Sequence, residues 1–76
     1  MGDELTYGQK AVGLTFNPSN DPLVQVLKEK AAEFIDACHE AREATESGDK
    51  KRMLSVAITE AQTAQMWAVK AVTWQD

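Results

Sequence analysis

Apolar side chains recur every three or four residues between residues 24 and 41, which is the spacing of one face of an α-helix. The repeat is carried by Val24, Leu27, Ala31, Phe34, Cys38 and Ala41, with Leu23 and Ile35 beside it. Asp21 is a favoured N-cap residue, and Pro22 suits the first helical position. The pattern therefore predicts an amphipathic helix over residues 20–46.

A second helical repeat follows, and its inner positions are mostly alanine. They are Leu54, Ala57, Ala61, Ala64, Ala68 and Ala71, with Ile58 and Val72 beside them. Ser47 and Asp49 are both suitable caps for this helix, and Gly48 suits the positive φ that often ends the preceding one. The repeat predicts a helix over residues 50–74, joined to the first by a short turn and packed antiparallel on it as a hairpin.

The segment before the first helix has a different pattern. Val12, Leu14 and Phe16 alternate with small or polar residues, as in a short extended segment. A single strand has no sheet to join, so residues 1–19 are expected to form an extended arm that packs on the helices. The fold prediction is one all-α domain over residues 1–76, a two-helix antiparallel hairpin with an N-terminal extended arm.

The hairpin carries more apolar residues than one helix pair can bury. Those off the alanine stripe are Met53, Val56, Met66, Trp67, Val69 and Trp74. A chain of 76 residues with a single cysteine has no internal disulfide to supplement a small core. Because a large exposed apolar patch usually marks an interface, we expect a homo-oligomeric helical bundle with the second helix at its centre.

Composition narrows the functional classes. The net charge of −4 is unfavourable for a protein that binds polymeric nucleic acid. The N-terminus lacks the basic start and apolar run of a signal peptide, no segment is long enough to span a membrane, and a single thiol fits a cytoplasmic protein. One histidine and one cysteine, adjacent at Cys38 and His39, give no activated nucleophile and a poor chelate, so neither enzyme activity nor a metal or other cofactor is expected.

Some polar and aromatic residues have both a structural and a ligand-binding interpretation. The carboxylates around Asp36 have the spacing of a di-iron helix, but they lie away from the predicted core and are expected to face water. Lys50, Lys51 and Arg52 open the second helix and form either a solvated turn or an anion site.

The aromatic residues leave the same choice open. Trp67 and Trp74 suit an interface or base stacking, and Lys70 between them suits a snorkelling cation or an anion ligand. In the arm, Phe16 and Tyr7 either staple the arm to the first helix or stack on a nucleobase. Lys28, one residue after Leu27, is a second candidate cation within a largely apolar helix.

Two stretches, FNPSNDPLVQVLKEKAAEFID and AITEAQTAQMWAVKAVTW, resemble a small family of phage proteins. The motif in the second helix is Thr59, Glu60, Gln62, Met66, Lys70 and Ala71. The resemblance covers residues 15–74 and is to the helical-hairpin domain shared by anti-CBASS cyclic-oligonucleotide sponges and Thoeris anti-defence sponges. It implies homo-oligomers, often hexamers, that sequester cyclic nucleotide second messengers in the host cytoplasm without cleaving them.

The resemblance also implies roles for individual residues. An N-terminal aromatic stacks on a base, which matches Phe16, with Tyr7 in reserve, and the neighbouring Asn17 belongs to the same candidate site. A first-helix lysine meets phosphate, which matches Lys28. The ligand classes implied are cyclic dinucleotides, cyclic trinucleotides and molecules of the cyclic ADP-ribose type.

A separate trinucleotide pocket in some members uses an arginine on the second helix. This chain has no arginine between Leu54 and Val72, so Thr59, Gln62 or Arg52 would have to replace it. Lys70 is the remaining candidate ligand residue. The alternative to a sponge is a structural or protein-binding hairpin of a phage or mobile element, without a nucleotide ligand.

Overall fold

The computed structural model describes residues 4–76, and every regular element in that range is helical. α1 spans Tyr7–Val12, α2 spans Pro22–Ala44 and α3 spans Gly48–Val72. The prediction of an all-α chain is thus confirmed for the described residues, whereas residues 1–3 of the predicted arm lie outside them. α2 and α3 occupy the segments for which helices over 20–46 and 50–74 are predicted.

The two long helices begin at side-chain caps. The Asp21 carboxylate accepts a hydrogen bond from the Leu23 amide at 2.9 Å, and the Ser47 hydroxyl accepts one from the Lys50 amide at 3.2 Å. The prediction that Gly48 ends the first helix with a positive φ is wrong, because Gly48 is the first residue of α3. The chain leaves α2 through an extended Thr45, so no left-handed residue is needed there.

α1 corrects the prediction of a wholly extended arm. The Thr6 hydroxyl accepts a hydrogen bond from the Gln9 amide, and the Gln9 side chain accepts one from the Thr6 amide. This reciprocal capping box starts the helix, and Gly13 ends it with a φ of 62°. Local capping thus outweighs the alternating pattern around Val12, which becomes a buried residue of α1.

α1 lies against α2 at very close range. A Cβ placed on Gly8 would overlap the carbonyl oxygen of Ala32. At the same point the Asp36 carboxylate accepts hydrogen bonds from the Gly8 amide at 2.6 Å and from the Thr6 hydroxyl at 2.8 Å. The expectation that Asp36 belongs to a solvated acidic face is therefore wrong, because this carboxylate holds α1 on α2.

The buried side of α2 differs from the predicted one. The core consists of Val12, Ala32, Ile35, Cys38 and Ile58. Phe34, predicted to be inside, is 53% exposed, and Leu27 is half-buried. The reason is that α2 is the middle helix and packs on both α1 and α3, so its buried side is centred between these two neighbours.

The three helices form a thin slab with Cα extents of 46 × 34 × 12 Å. Since packed helix axes are about 8–10 Å apart, a 12 Å thickness corresponds to little more than one layer of helices. A groove of about 400 Å³ follows the α2–α3 seam. We term it the alanine groove, and it is lined by Leu27, Lys30, Ala31, Phe34, Ala61, Ala64, Gln65 and Ala68.

Substitution of Gly8 by alanine should destabilise the protein, because the added methyl group forces α1 away from the Ala32 carbonyl. Overpacking of this kind typically costs about 1–3 kcal/mol, and each kcal/mol lowers the melting temperature of a domain this small by about 4–8 °C. Gly48→Ala is the matched control, since a Cβ there meets nothing within 4 Å. Thermal unfolding at equal protein concentration measures both. Equal melting temperatures for the two variants would contradict the close contact.

Candidate functional site

One cavity collects three of the residues that the sequence singles out. It has a volume of about 240 Å³ and lies between the loop of residues 13–21, the start of α2 and the end of α3. From here on, the term arm is used for this loop alone. We term it the arm cavity, and it is lined by Phe16, Asn17, Pro18, Ser19, Val24, Lys28, Val69 and Thr73. The predicted site residues Phe16, Asn17 and Lys28 therefore lie together.

The backbone of the arm is fixed by its own hydrogen bonds. The Phe16 amide donates to the Gly13 carbonyl at 2.9 Å, which forms a turn directly after α1. The Asn17 amide group donates to the Asp21 carbonyl at 3.2 Å and accepts a hydrogen bond from the Ser19 hydroxyl at 2.8 Å. These bonds join the arm to the cap of α2, so the arm is an ordered loop.

Lys28 is a buried cation that holds the arm. Its side chain is 5% exposed, and Nζ donates hydrogen bonds to the carbonyls of Gly13, at 3.0 Å, and Phe16. An ammonium group has three N–H donors, so one remains for another acceptor in the arm cavity. Nζ also lies 5.5 Å from the centroid of the Phe16 ring, within cation–π range.

The Phe16 ring itself is 71% exposed, the largest exposed fraction among the large apolar side chains of the described residues. A ring that served only to staple the arm to α2 would be covered by that helix. The structure instead fixes the backbone of Phe16 and leaves the ring free. This combination is suited to stacking on a planar ligand.

Tyr7 lies in a different cluster. Its ring stacks on His39 with centroids 4.2 Å apart and planes 4° from parallel, and the Arg42 guanidinium lies 5.6 Å from its centroid. Arg42 also contacts His39 Nδ1 at 3.2 Å and donates to the Ser55 hydroxyl at 2.9 Å. This cluster joins all three helices at the N-terminus of α1, whereas the arm begins at Gly13, at the C-terminal end of α1.

The remaining predicted site residues lie on α3, outside the arm cavity. Gln62 donates a hydrogen bond to the Ala11 carbonyl at 3.3 Å, which ties α3 to α1. Thr59 and Arg52 are exposed. Lys70 is exposed beside two indole rings, with Nζ 5.3 Å from the Trp67 centroid and 5.8 Å from that of Trp74.

Five lining residues of the arm cavity are not among the site residues predicted from the sequence. They are Pro18, Ser19, Val24, Val69 and Thr73. In the sequence, Val24 has the spacing of a core residue, and Pro18 and Ser19 belong to the segment that precedes the first long helix. Val69 and Thr73 reach the cavity because the end of α3 lies beside the start of α2 in an antiparallel hairpin. The antiparallel pairing of the two helices, which the sequence predicts, is therefore the signal that could have identified these two residues.

Two other kinds of site find no support in residues 4–76. No group of histidine, cysteine, aspartate and glutamate side chains there has the geometry to hold a metal ion. None of the helices in that range is long and apolar enough to cross a membrane.

Replacing Lys28 by methionine should loosen the arm, because the carbonyls of Gly13 and Phe16 lose their shared donor. We expect amide hydrogen exchange at Phe16 to accelerate by roughly tenfold, equivalent to about 1.4 kcal/mol of local stability, while the α3 amides change much less. Lys51→Met, at an exposed lysine, is the control. Unchanged exchange at Phe16 in the Lys28 variant would show that the lysine does not anchor the arm.

Comparison with protein-family models matches residues 9–73 to the Acb2/Tad1 hairpin domain. This range contains α2, α3, most of α1 and the complete lining of the arm cavity. Neither the curated proteins nor the solved structures yield a significant match to the chain. The resemblance noted from the sequence is confirmed, and because the match spans most of its length the chain belongs to the Acb2/Tad1 hairpin-domain family of anti-CBASS and anti-Thoeris sponges.

Proposed function

We propose that this chain binds cyclic oligonucleotide second messengers of bacterial immunity and sequesters them without cleavage. The observation that carries the proposal is the exposed Phe16 ring, held over the buried Lys28 ammonium at the mouth of the arm cavity. Membership of a family of hairpin domains known from anti-defence sponges supports it.

Phe16 is the residue that would stack on a base of the ligand. Base–aromatic stacking contributes about 1–3 kcal/mol per base. The Phe16 backbone is already fixed by Gly13 and Lys28, so little conformational entropy remains to be lost on binding. An ordered arm therefore converts more of the stacking energy into affinity than a flexible tail would.

The phosphates of a cyclic nucleotide need positive charge in a protein whose net charge is −4. Lys28 supplies one buried ammonium with an unused N–H, and Lys70 follows the cavity residue Val69 on α3. Asn17 and Thr73 add neutral hydrogen-bonding groups at the cavity wall. Charge-assisted hydrogen bonds are about twice as strong as neutral ones, so Lys28 would contribute most of the phosphate affinity inside the cavity, and Lys70 would add attraction from outside it.

Self-association is part of the proposal. A folded monomer of 8.4 kDa is expected to expose about 4,600 Å², whereas this chain exposes 5519 Å². The excess of about 900 Å² is close to the roughly 800 Å² that each partner buries in a standard interface. We propose a homo-oligomer, with the hexamer implied by the family as its form.

A second pocket would form between copies of the chain. Arg52 and Thr59 are exposed on α3 and would reach such a pocket. One N–H of the Gln62 side-chain amide donates to the Ala11 carbonyl, so its second N–H and its carbonyl oxygen would be available to a ligand. Tyr7, 43% exposed beside Arg42, is the corresponding aromatic candidate.

The proposed mechanism is mass action in the cytoplasm of a phage-infected cell. A sponge lowers the free concentration of a signal only if it is abundant and binds with a Kd near or below ~10 nM, which corresponds to roughly −11 kcal/mol. No chemistry on the ligand is required. The proposal therefore assigns no catalytic residue.

A protein-binding hairpin without a nucleotide ligand is the second candidate, and the exposed alanine groove favours it. The two candidate functions differ in whether the purified protein binds a cyclic nucleotide. A sponge retains a cyclic nucleotide, whereas a protein-binding hairpin does not.

Calorimetric titration of the protein with a panel of cyclic di- and trinucleotides and a cyclic ADP-ribose-type molecule tests the proposal. Phe16→Ala should weaken binding by roughly 5- to 150-fold, the equivalent of losing one stacked base, with little change in melting temperature because the ring is exposed. Phe16→Tyr keeps an aromatic face and should bind within a few-fold of the original. Absence of binding across the panel would reject the sponge, and equal affinity for Phe16→Ala would reject the role of this ring.

A further inference from the structure

His39, the only histidine of the chain, lies where all three helices meet. Its ring stacks on Tyr7 of α1, and its Nδ1 lies 3.2 Å from Nη2 of Arg42, whose Nη1 donates to the Ser55 hydroxyl of α3. We term Tyr7, His39, Arg42 and Ser55 the junction cluster. None of its members lines the arm cavity, and the proposed function gives no role to the histidine.

The contact between Arg42 and His39 determines the protonation state of the histidine. A guanidinium group carries only N–H donors, so Nδ1 of His39 must be the acceptor. A protonated imidazole carries a hydrogen on both nitrogens and has no acceptor. The His39 ring in this arrangement is therefore neutral, with its hydrogen on Nε2.

Addition of a proton to His39 conflicts with this arrangement. Nδ1 would become a donor that faces the donor Nη2 of Arg42, and the nitrogens of two cations would lie 3.2 Å apart. Relief of the repulsion requires one of the two side chains to move. Movement of the histidine ends its stack on Tyr7, and movement of Arg42 breaks its bond to Ser55 and takes it from the Tyr7 ring. Either movement weakens the attachment of α1.

The other charged groups near the junction cluster do not remove this conflict. The described charged residues within four positions of its members are Glu4, Lys10, Asp36, Glu40, Glu43, Glu46, Lys51 and Arg52. All except Asp36 are exposed and screened by solvent, whereas Arg42 is half-buried and contacts the ring directly. Each oxygen of Asp36 already accepts a hydrogen bond from the segment that starts α1. The excess of carboxylates favours a protonated His39 ring once it has separated from Arg42.

We infer that the junction cluster is a pH-sensitive switch, in which neutral His39 holds α1 on the two long helices and protonation of the ring weakens that hold. Because the closed cluster needs Nδ1 as an acceptor, the attachment is complete at high pH and is lost as the pH falls. Histidine is the side chain that ordinarily changes charge between about pH 8 and pH 5. The inference goes beyond the proposed function, since it concerns the docking of α1 and requires no ligand.

Amide hydrogen exchange of nucleotide-free protein at pH 7.5 and pH 5.5 tests the switch. After correction for the intrinsic pH dependence of exchange, protection of the Gly8 and Lys10 amides should fall about tenfold at the lower pH, while the middle of α3 changes much less. His39→Asn is neutral at both pH values and keeps a carbonyl acceptor, so it should lose this dependence. Equal protection of α1 at the two pH values in the original protein overturns the inference.

Arg42→Met tests the cause of the effect. Methionine removes the charge, so a protonated His39 no longer meets a cation. α1 should be held less firmly at both pH values, and its pH dependence should shrink to about twofold or less. Arg52→Met, at an exposed position, should keep the full dependence. A full pH dependence in the Arg42 variant would assign the effect to another group and reject the switch.

The ring nitrogens give a measurement that needs no variant. The ¹⁵N chemical shifts of His39 at pH 7.5 should show a hydrogen on Nε2 and an unprotonated, hydrogen-bonded Nδ1. A hydrogen on Nδ1 would contradict the acceptor role on which the switch depends. None of these measurements uses a nucleotide, so failure of the switch is distinguishable from failure of ligand binding, which the Phe16 variants test.

Discussion

The close approach of Gly8 to the carbonyl of Ala32 is the contact on which the N-terminal third of the structure depends. Only a residue without a side chain lets the α1 backbone come near enough for its Gly8 amide to reach the Asp36 carboxylate. That position of α1 directs its C-terminal end, at Gly13, to the side of α2 where Lys28 lies. The arm, its aromatic ring and the arm cavity follow from this one contact.

Lys28 combines two roles that are usually separate. Burial of an ammonium group is costly unless hydrogen bonds replace its water, and the carbonyls of Gly13 and Phe16 do so here. The same bonds fix the backbone of the residue whose ring is proposed to stack on the ligand. The two hydrogen bonds of Lys28 therefore offset the cost of burying its ammonium group and also order the arm. The ammonium group remains at the wall of the arm cavity.

The sequence predicts the parts of the fold that local signals determine. The cap at Asp21, the amphipathic character of α2 and the alanine-rich seam are all visible in residue spacing. α1 escapes prediction although Thr6 and Gln9 have capping-box spacing, because six residues are too few to show a helical repeat. The rotation that buries Lys28 and exposes Phe34 could not be predicted, since it arises when two other helices pack on α2 from different sides.

The candidate site shows the same division between local and long-range information. Phe16, Asn17 and Lys28 could be selected from the sequence and its resemblance, because they belong to one short stretch and one helix. Val69 and Thr73, more than fifty residues away from Phe16, join them only through the hairpin. The register of α2 against α3 thus determines both the cavity wall and the exposed groove. A hairpin one layer thick leaves the groove on its surface, so the helix pairing that shapes the arm cavity also leaves an apolar face exposed.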